Sequence, residues 1–79
     1  MIKKEEVVLT IVYDEIDRII LDALSGRYYT VTQLSSILRY RLGADISSMQ
    51  IVKKLEYLQV LGKIGKRRKN ARLYEYFCI

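Results

Sequence analysis

The chain contains no histidine, no proline and no tryptophan, and only one cysteine, Cys78, among its 79 residues. Without histidine and with a single thiol, no set of soft ligands for zinc or a related metal can be assembled. The same scarcity removes the common nucleophile–base pairs, and no glycine-rich phosphate loop is present, so an enzyme is not expected. One cysteine also excludes an internal disulfide framework. Cys78 can pair only with another chain or sit as a buried thiol near the end of a strand. No proline, Ser/Gly-rich linker or repeat interrupts the chain, so residues 1–79 read as one domain. The longest apolar run, Val7 to Tyr13 with Thr10 inside it, is far shorter than the ~20 residues that span a bilayer. Lys3 and Lys4 precede that run, but acidic residues flank it and no small-residue cleavage site follows, which argues against a secretory leader. The expectation is an intracellular, cytoplasmic protein with no membrane association, no cofactor and no evident small-molecule ligand.

Acidic residues are scarce in the later part of the chain. Residues 1–26 carry three basic and six acidic side chains, whereas residues 27–79 carry eleven basic and three acidic ones. The overall charge of +5 therefore hides a negative first third and a strongly positive remainder. Segregation of this kind suits a polyanion-binding face opposite a neutral or self-associating one. A core this small is marginal alone, and with metals and disulfides set aside, association with a second copy is the remaining source of stability.

The apolar residues are periodic. In "DEIDRIILDALSG", Ile16, Ile19, Ile20, Ala23 and Leu24 line one helical face, which predicts a first helix over 14–25. Asp14 suits its N-cap, acidic residues fill its first turn, and Gly26 suits a left-handed C-terminal stop. Asp14, Glu15, Asp17 and Asp22 read as a cap and a solvated face. Upstream, "EEVVLTIVY" is compatible with a strand or with a helical stripe through Val8, Val12 and Ile16. In either form residues 1–13 are expected to self-associate. A short β-prone piece, Tyr28 to Val31, precedes a second helix over 32–42, capped by Thr32, closed by Gly43, and inward-facing at Leu34, Ile37, Leu38 and Leu42.

A third helix is expected over 47–61, where Ser47 and Gln50 have the spacing of a capping box. Ile51, Val52, Leu55, Leu58 and Gln59 share its inner side, while Met49, Gln50, Lys53 and Tyr57 point the other way with Lys54 at the edge. Then comes "GKIGKRRKNARLYEY", which holds six of the fourteen Lys and Arg residues. Gly62 ends the helix, Ile64 opens one strand, and Leu73, Tyr74, Tyr76 and Phe77 form another. Lys69-Asn70 suits a tight turn, because asparagine tolerates positive φ. Residues 63–79 thus read as a β-hairpin with a basic tip.

Helix, short strand, helix, turn, helix and hairpin is the order of the winged helix, a helix-turn-helix variant whose hairpin is the wing. Residues 14–79 resemble it through "TVTQL" and "IVKKLEYLQVLGKIGKR", the latter similar to MarR-like and ArsR-like regulators at Val52, Leu55, Leu58, Gly62, Ile64 and Lys66. Tyr74 and Tyr76 also resemble wing-strand positions. In size and composition the chain looks like the small winged-helix proteins encoded by archaeal viruses and plasmids. The resemblance implies an α+β, mainly α fold, with the third helix entering the major groove of double-stranded DNA.

Mapped onto this chain, the groove candidates are Ser48, Met49, Gln50, Lys53 and Lys54, with Ser47 and Ser48 at a helix N-terminus able to hold a phosphate. Gln50 suits bidentate pairing with adenine, and equally suits the capping box. Lys53 and Lys54 are groove contacts or plain solvated surface. On the wing, Lys66, Arg67, Arg68, Lys69 and Arg72 are expected along phosphates or in the minor groove, the alternative being a solubilising loop. Arg39 and Arg41 are weaker phosphate candidates, and Tyr28, Tyr29, Tyr57, Tyr74 and Tyr76 suit packing better than base stacking. The leading expectation is a sequence-specific regulator, homodimeric through residues 5–25. The competing ones are a winged-helix module that docks on proteins in a transcription or replication complex, and a non-specific nucleic-acid coat.

Overall fold

Each helix in the computed structural model, which describes residues 13–79, begins at a reciprocal cap. α1 spans Glu15–Leu24. The Asp14 carboxylate accepts from the Asp17 N–H at 2.9 Å, and the Asp17 carboxylate accepts from the Asp14 N–H at 3.1 Å. Two backbone donors that a helix start leaves orphaned are thereby satisfied. α2 spans Val31–Leu42 and is capped in the same way by Thr30 with Gln33, two residues earlier than the expected Thr32. Thr30 wins because Gln33 lies three residues after it and can return the bond, whereas Thr32 is followed at that spacing by Ser35. α3 spans Ser48–Val60, with Ser47 and Gln50 as its capping box. Gly26, Gly43 and Gly62 take positive φ after the three helices, the backbone state glycine enters without a Cβ clash.

Because α2 starts at Val31, the β-prone piece before it shrinks to one bridge. Tyr29 exchanges backbone hydrogen bonds with Tyr76, at 3.1 and 2.7 Å. β1 (Ile64–Arg68) and β2 (Tyr74–Cys78) form an antiparallel hairpin with Ile64 opposite Cys78 and Arg68 opposite Tyr74. Three helices followed by this hairpin make an α+β, mainly α layout consistent with a winged-helix arrangement. Residues 1–12 of the expected self-association segment lie outside the described residues, and Tyr13 packs at the core's margin.

The core gathers one stripe from every element. Ile20, Leu24, Leu34, Leu38, Ile51, Leu55 and Leu58 are fully buried, and Ile19, Ala23, Ile64 and Tyr76 join them. Each such aliphatic side chain contributes about 1.5–3 kcal/mol of transfer free energy, so α3 is seated by Ile51, Leu55 and Leu58 while its other side stays in water. Gln59 turns its amide back to the Leu55 carbonyl at 3.3 Å and so completes the inner side.

The wing turn differs from the sequence reading. Asn70 does not take positive φ; among the described residues only glycines do. Its side-chain Oδ1 instead accepts from the N–H groups of Arg72 (2.9 Å) and Leu73 (3.0 Å). The Lys69 N–H also donates to the Leu73 carbonyl at 2.8 Å, so the reversal runs over residues 69–73 as a side-chain-held turn.

Candidate nucleic-acid interface

The first turn of α3 is a fixed and exposed ledge. Ser47, Ser48, Met49, Gln50 and Lys53 are all solvent-exposed, and no acidic residue lies in that turn. Met49 is 69% exposed, unusual for a side chain with so much apolar surface. Gln50 is in its capping role: its Oε1 accepts from the Ser47 N–H at 3.2 Å and stands 3.3 Å from the Ser47 hydroxyl. To read adenine through both amide atoms, Gln50 would have to release that cap.

Lys54, one residue beyond Lys53, is turned away from this ledge. Its Nζ bonds the Asp14 carboxylate and lies 3.6 Å from Asp17 Oδ2. Asp17 was expected on a solvated face, yet it is 1% exposed, and its Oδ1 has no hydrogen-bond partner among the described residues. The three groups form an ionic clamp between the start of α1 and the middle of α3. The hydrogen bond from Lys54 is the main reason the Asp14 carboxyl sits below its ordinary value of 3.8. The same bond is the main reason the Lys54 ammonium sits above its ordinary 10.5, against the opposing effect of burial. A cleft of about 340 Å³ lined by Asp14, Asp17, Lys53, Lys54 and Tyr57 opens beside the clamp.

The hairpin has two chemically different faces, because side chains alternate along a strand. Ile64, Lys66 and Arg68 share one face with Tyr74, Tyr76 and Cys78. At its inner end Ile64 and Tyr76 are buried, and the half-buried Cys78 donates its thiol to the Leu21 carbonyl at 3.3 Å. Burial pushes the Cys78 thiol up, and it is the first cause raising the Tyr76 phenol as well. At its outer end this face carries Lys66 at 4.7 Å and Arg68 at 5.5 Å from the centre of the Tyr74 ring. The Arg68 guanidinium also donates to the Tyr74 hydroxyl at 3.2 Å. Arg72 comes to the same place, lining a cavity of about 190 Å³ with Tyr74, Thr30 and Thr32.

The opposite face holds Gly65, Arg67, Glu75 and Phe77. Arg67 stacks on the Tyr28 ring at 3.5 Å and pairs with Glu75 at 3.1 Å. Lys69 reaches the same carboxylate at 3.7 Å. Tyr28 in turn lies against Phe77, with ring centroids 5.4 Å apart. The two arginines of α2 are engaged too, Arg39 with Asp45 and Arg41 with Asp22, each at 2.8 Å.

The expected site residues therefore fall into an exposed set (Ser47, Ser48, Met49, Gln50, Lys53, Lys66, Arg68, Arg72) and a set committed to carboxylates (Lys54, Arg67, Lys69). Sequence reasoning missed Asp14, Asp17, Tyr28 and Glu75 as the partners that make this division. A weak signal existed for Glu75, the one acid in a strand otherwise apolar and aromatic. None marked Asp17, whose spacing suits a cap and nothing more. Among the described residues no cluster of His, Cys, Asp or Glu suits a metal ion, and no helix is long and apolar enough to cross a membrane. Comparison with protein-family models, with curated proteins and with solved structures finds no match to this chain.

Proposed function

We propose that the chain is a sequence-specific double-stranded DNA-binding protein, a transcriptional regulator that places α3 in the major groove and its basic hairpin on phosphates or in the minor groove. The observation that carries the reading is the capped, acid-free and exposed edge of the first two turns of α3, which presents Ser48, Met49, Gln50 and Lys53 from a helix whose other side is locked into the core. A recognition helix needs that combination of rigid seating and open polar edge. The basic hairpin leaves the end of this helix after Gly62, and it supplies cations of the kind that position proteins on duplex backbones. Self-association through residues 5–25 belongs to the same proposal: a two-fold dimer sets two copies of α3 about one DNA turn, ~34 Å, apart.

Selection of bound duplexes from a random library tests this. The expected result is a symmetric motif with half-sites one helical turn apart. Enrichment of no motif from a protein that still binds DNA points instead to non-specific coating. A protein-docking module is the second reading, favoured by the near-complete exposure of Tyr40 (89%) on α2 and Val60 (85%) at the end of α3. Lys53→Ala separates the two readings, because Lys53 is exposed and outside the ionic clamp. Weakened duplex binding by a folded variant supports the DNA reading, and unchanged duplex binding supports the docking module.

A further inference from the structure

The geometry points to one face of the hairpin, the Lys66–Arg68–Arg72 face around Tyr74, as the surface that meets the phosphate backbone, with the Arg67–Lys69 face turned away from it. This rests on the DNA-binding reading and narrows it, because the sequence alone offers all five cations as equal candidates.

Local charge separates the two faces. Lys66, Arg68 and Arg72 have no carboxylate within ion-pair distance among the described residues; Lys66 and Arg68 have the Tyr74 ring as partner, Arg68 its hydroxyl too, and Arg72 lines a cavity with Tyr74. A neutral aromatic ring orders cations without cancelling their charge, so three positive charges remain for an incoming anion. On the other face Arg67 and Lys69 share Glu75, which is only 13% exposed in its side chain and held beneath them. A phosphate arriving there meets a fixed carboxylate and one net positive charge. It must also lift Arg67 off Tyr28, which the guanidinium covers at 3.5 Å. Lys54 is poorer still, one cation serving two carboxylates. Salt bridges at a protein surface are weak individually, so the asymmetry comes from the carboxylate left behind more than from the strength of the bond broken. Duplex DNA fits the open face better than an acidic peptide does. Its phosphates recur at fixed spacing with no side chains to accommodate, and each one neutralised by a cation releases counterions.

The test compares two variants with the wild-type protein for duplex binding across salt concentration and for elution from heparin, a polyanion probe that does not depend on the DNA reading. Lys66→Gln with Arg68→Gln and Arg72→Gln is expected to reduce the steepness of log K against log salt by about 2–3 per subunit, near 0.9 for each lost phosphate contact. The same variant is expected to elute from heparin at distinctly lower salt. Arg67→Gln with Lys69→Gln is expected to change the slope by less than about 0.5 on the same scale. Thermal melts confirm folding, and Lys69→Gln alone replaces the double variant if loss of the Arg67–Tyr28 stack unfolds the wing. Equal losses from the two faces per charge removed, on DNA and on heparin, overturn the assignment. A wild-type protein that ignores duplex DNA yet shows the asymmetry on heparin overturns the DNA reading while the face assignment stands.

Discussion

Asn70 shows how much of the wing rests on one side chain. Its Oδ1 takes two backbone donors, from Arg72 and Leu73, that nothing else in the turn satisfies. Asn70→Ala removes both bonds and leaves the backbone to water, for an expected loss of about 1 kcal/mol, with faster amide exchange confined to the hairpin. Urea melts combined with residue-level hydrogen exchange check this, and unchanged exchange at residues 64–78 contradicts it. Gly65 is sensitive for a different reason. A Cβ there would lie 2.8 Å from the tip of the Phe77 ring, which Tyr28 confines from beyond. Gly65→Ala is expected to cost about 1 kcal/mol through displacement of that ring, seen as a lower melting temperature and a shifted Phe77 ring spectrum.

At the scale of elements, the join between α1 and α3 is ionic as well as apolar, and this makes it sensitive to pH. Asp14 is depressed in the folded protein, so its contribution is whole above about pH 5 and is lost as pH falls through the lowered folded value. Lys54 is raised, so its contribution is whole below about pH 9 and is lost as pH rises through the raised folded value. Lys54→Met is therefore expected to destabilise by about 1 kcal/mol at neutral pH, because it leaves the buried Asp17 without its cation. That deficit should shrink near pH 2, as the Asp14 carboxyl is titrated toward its neutral form at its lowered folded value. Denaturant melts of both proteins at the two pH values decide it, and an equal deficit at both means the clamp is not ionic.

The helices were legible because periodic apolar residues and S/T/D-x-x caps are local signals, and Ser47 with Gln50 formed the box its spacing suggests. The wing was legible as a hairpin but not in register. A two-residue turn at Lys69-Asn70 would oppose Arg68 to Ala71, whereas Arg68 faces Tyr74. An odd shift of three swaps the faces of one strand against the other. It is this register that brings Glu75 opposite Arg67 and Tyr74 opposite Arg68. The clamp of Lys54 on Asp14 was illegible for another reason. The two residues lie forty positions apart, and only the packed angle of α3 on α1 brings them together.

For the whole molecule, the polarity of the sequence becomes a sorting of charge in space. The acidic start of α1 consumes Lys54, Asp22 and Asp45 hold Arg41 and Arg39, and Glu75 holds one side of the wing. Among the described residues, Lys66, Arg68 and Arg72 on the hairpin's open face and Lys53 on the exposed edge of α3 keep their charge without a carboxylate partner, as do Arg18, Arg27 and Lys63 elsewhere. A molecule sorted in this way should bind duplex DNA by releasing counterions, and the salt dependence of that binding is the most direct test. Titration of a labelled duplex with the wild-type protein at several salt concentrations should give log K falling linearly with log salt, at a slope of about −3.5 to −5.5 per subunit if each subunit neutralises about four to six phosphates. A slope near zero, or no duplex binding at low salt, contradicts the account.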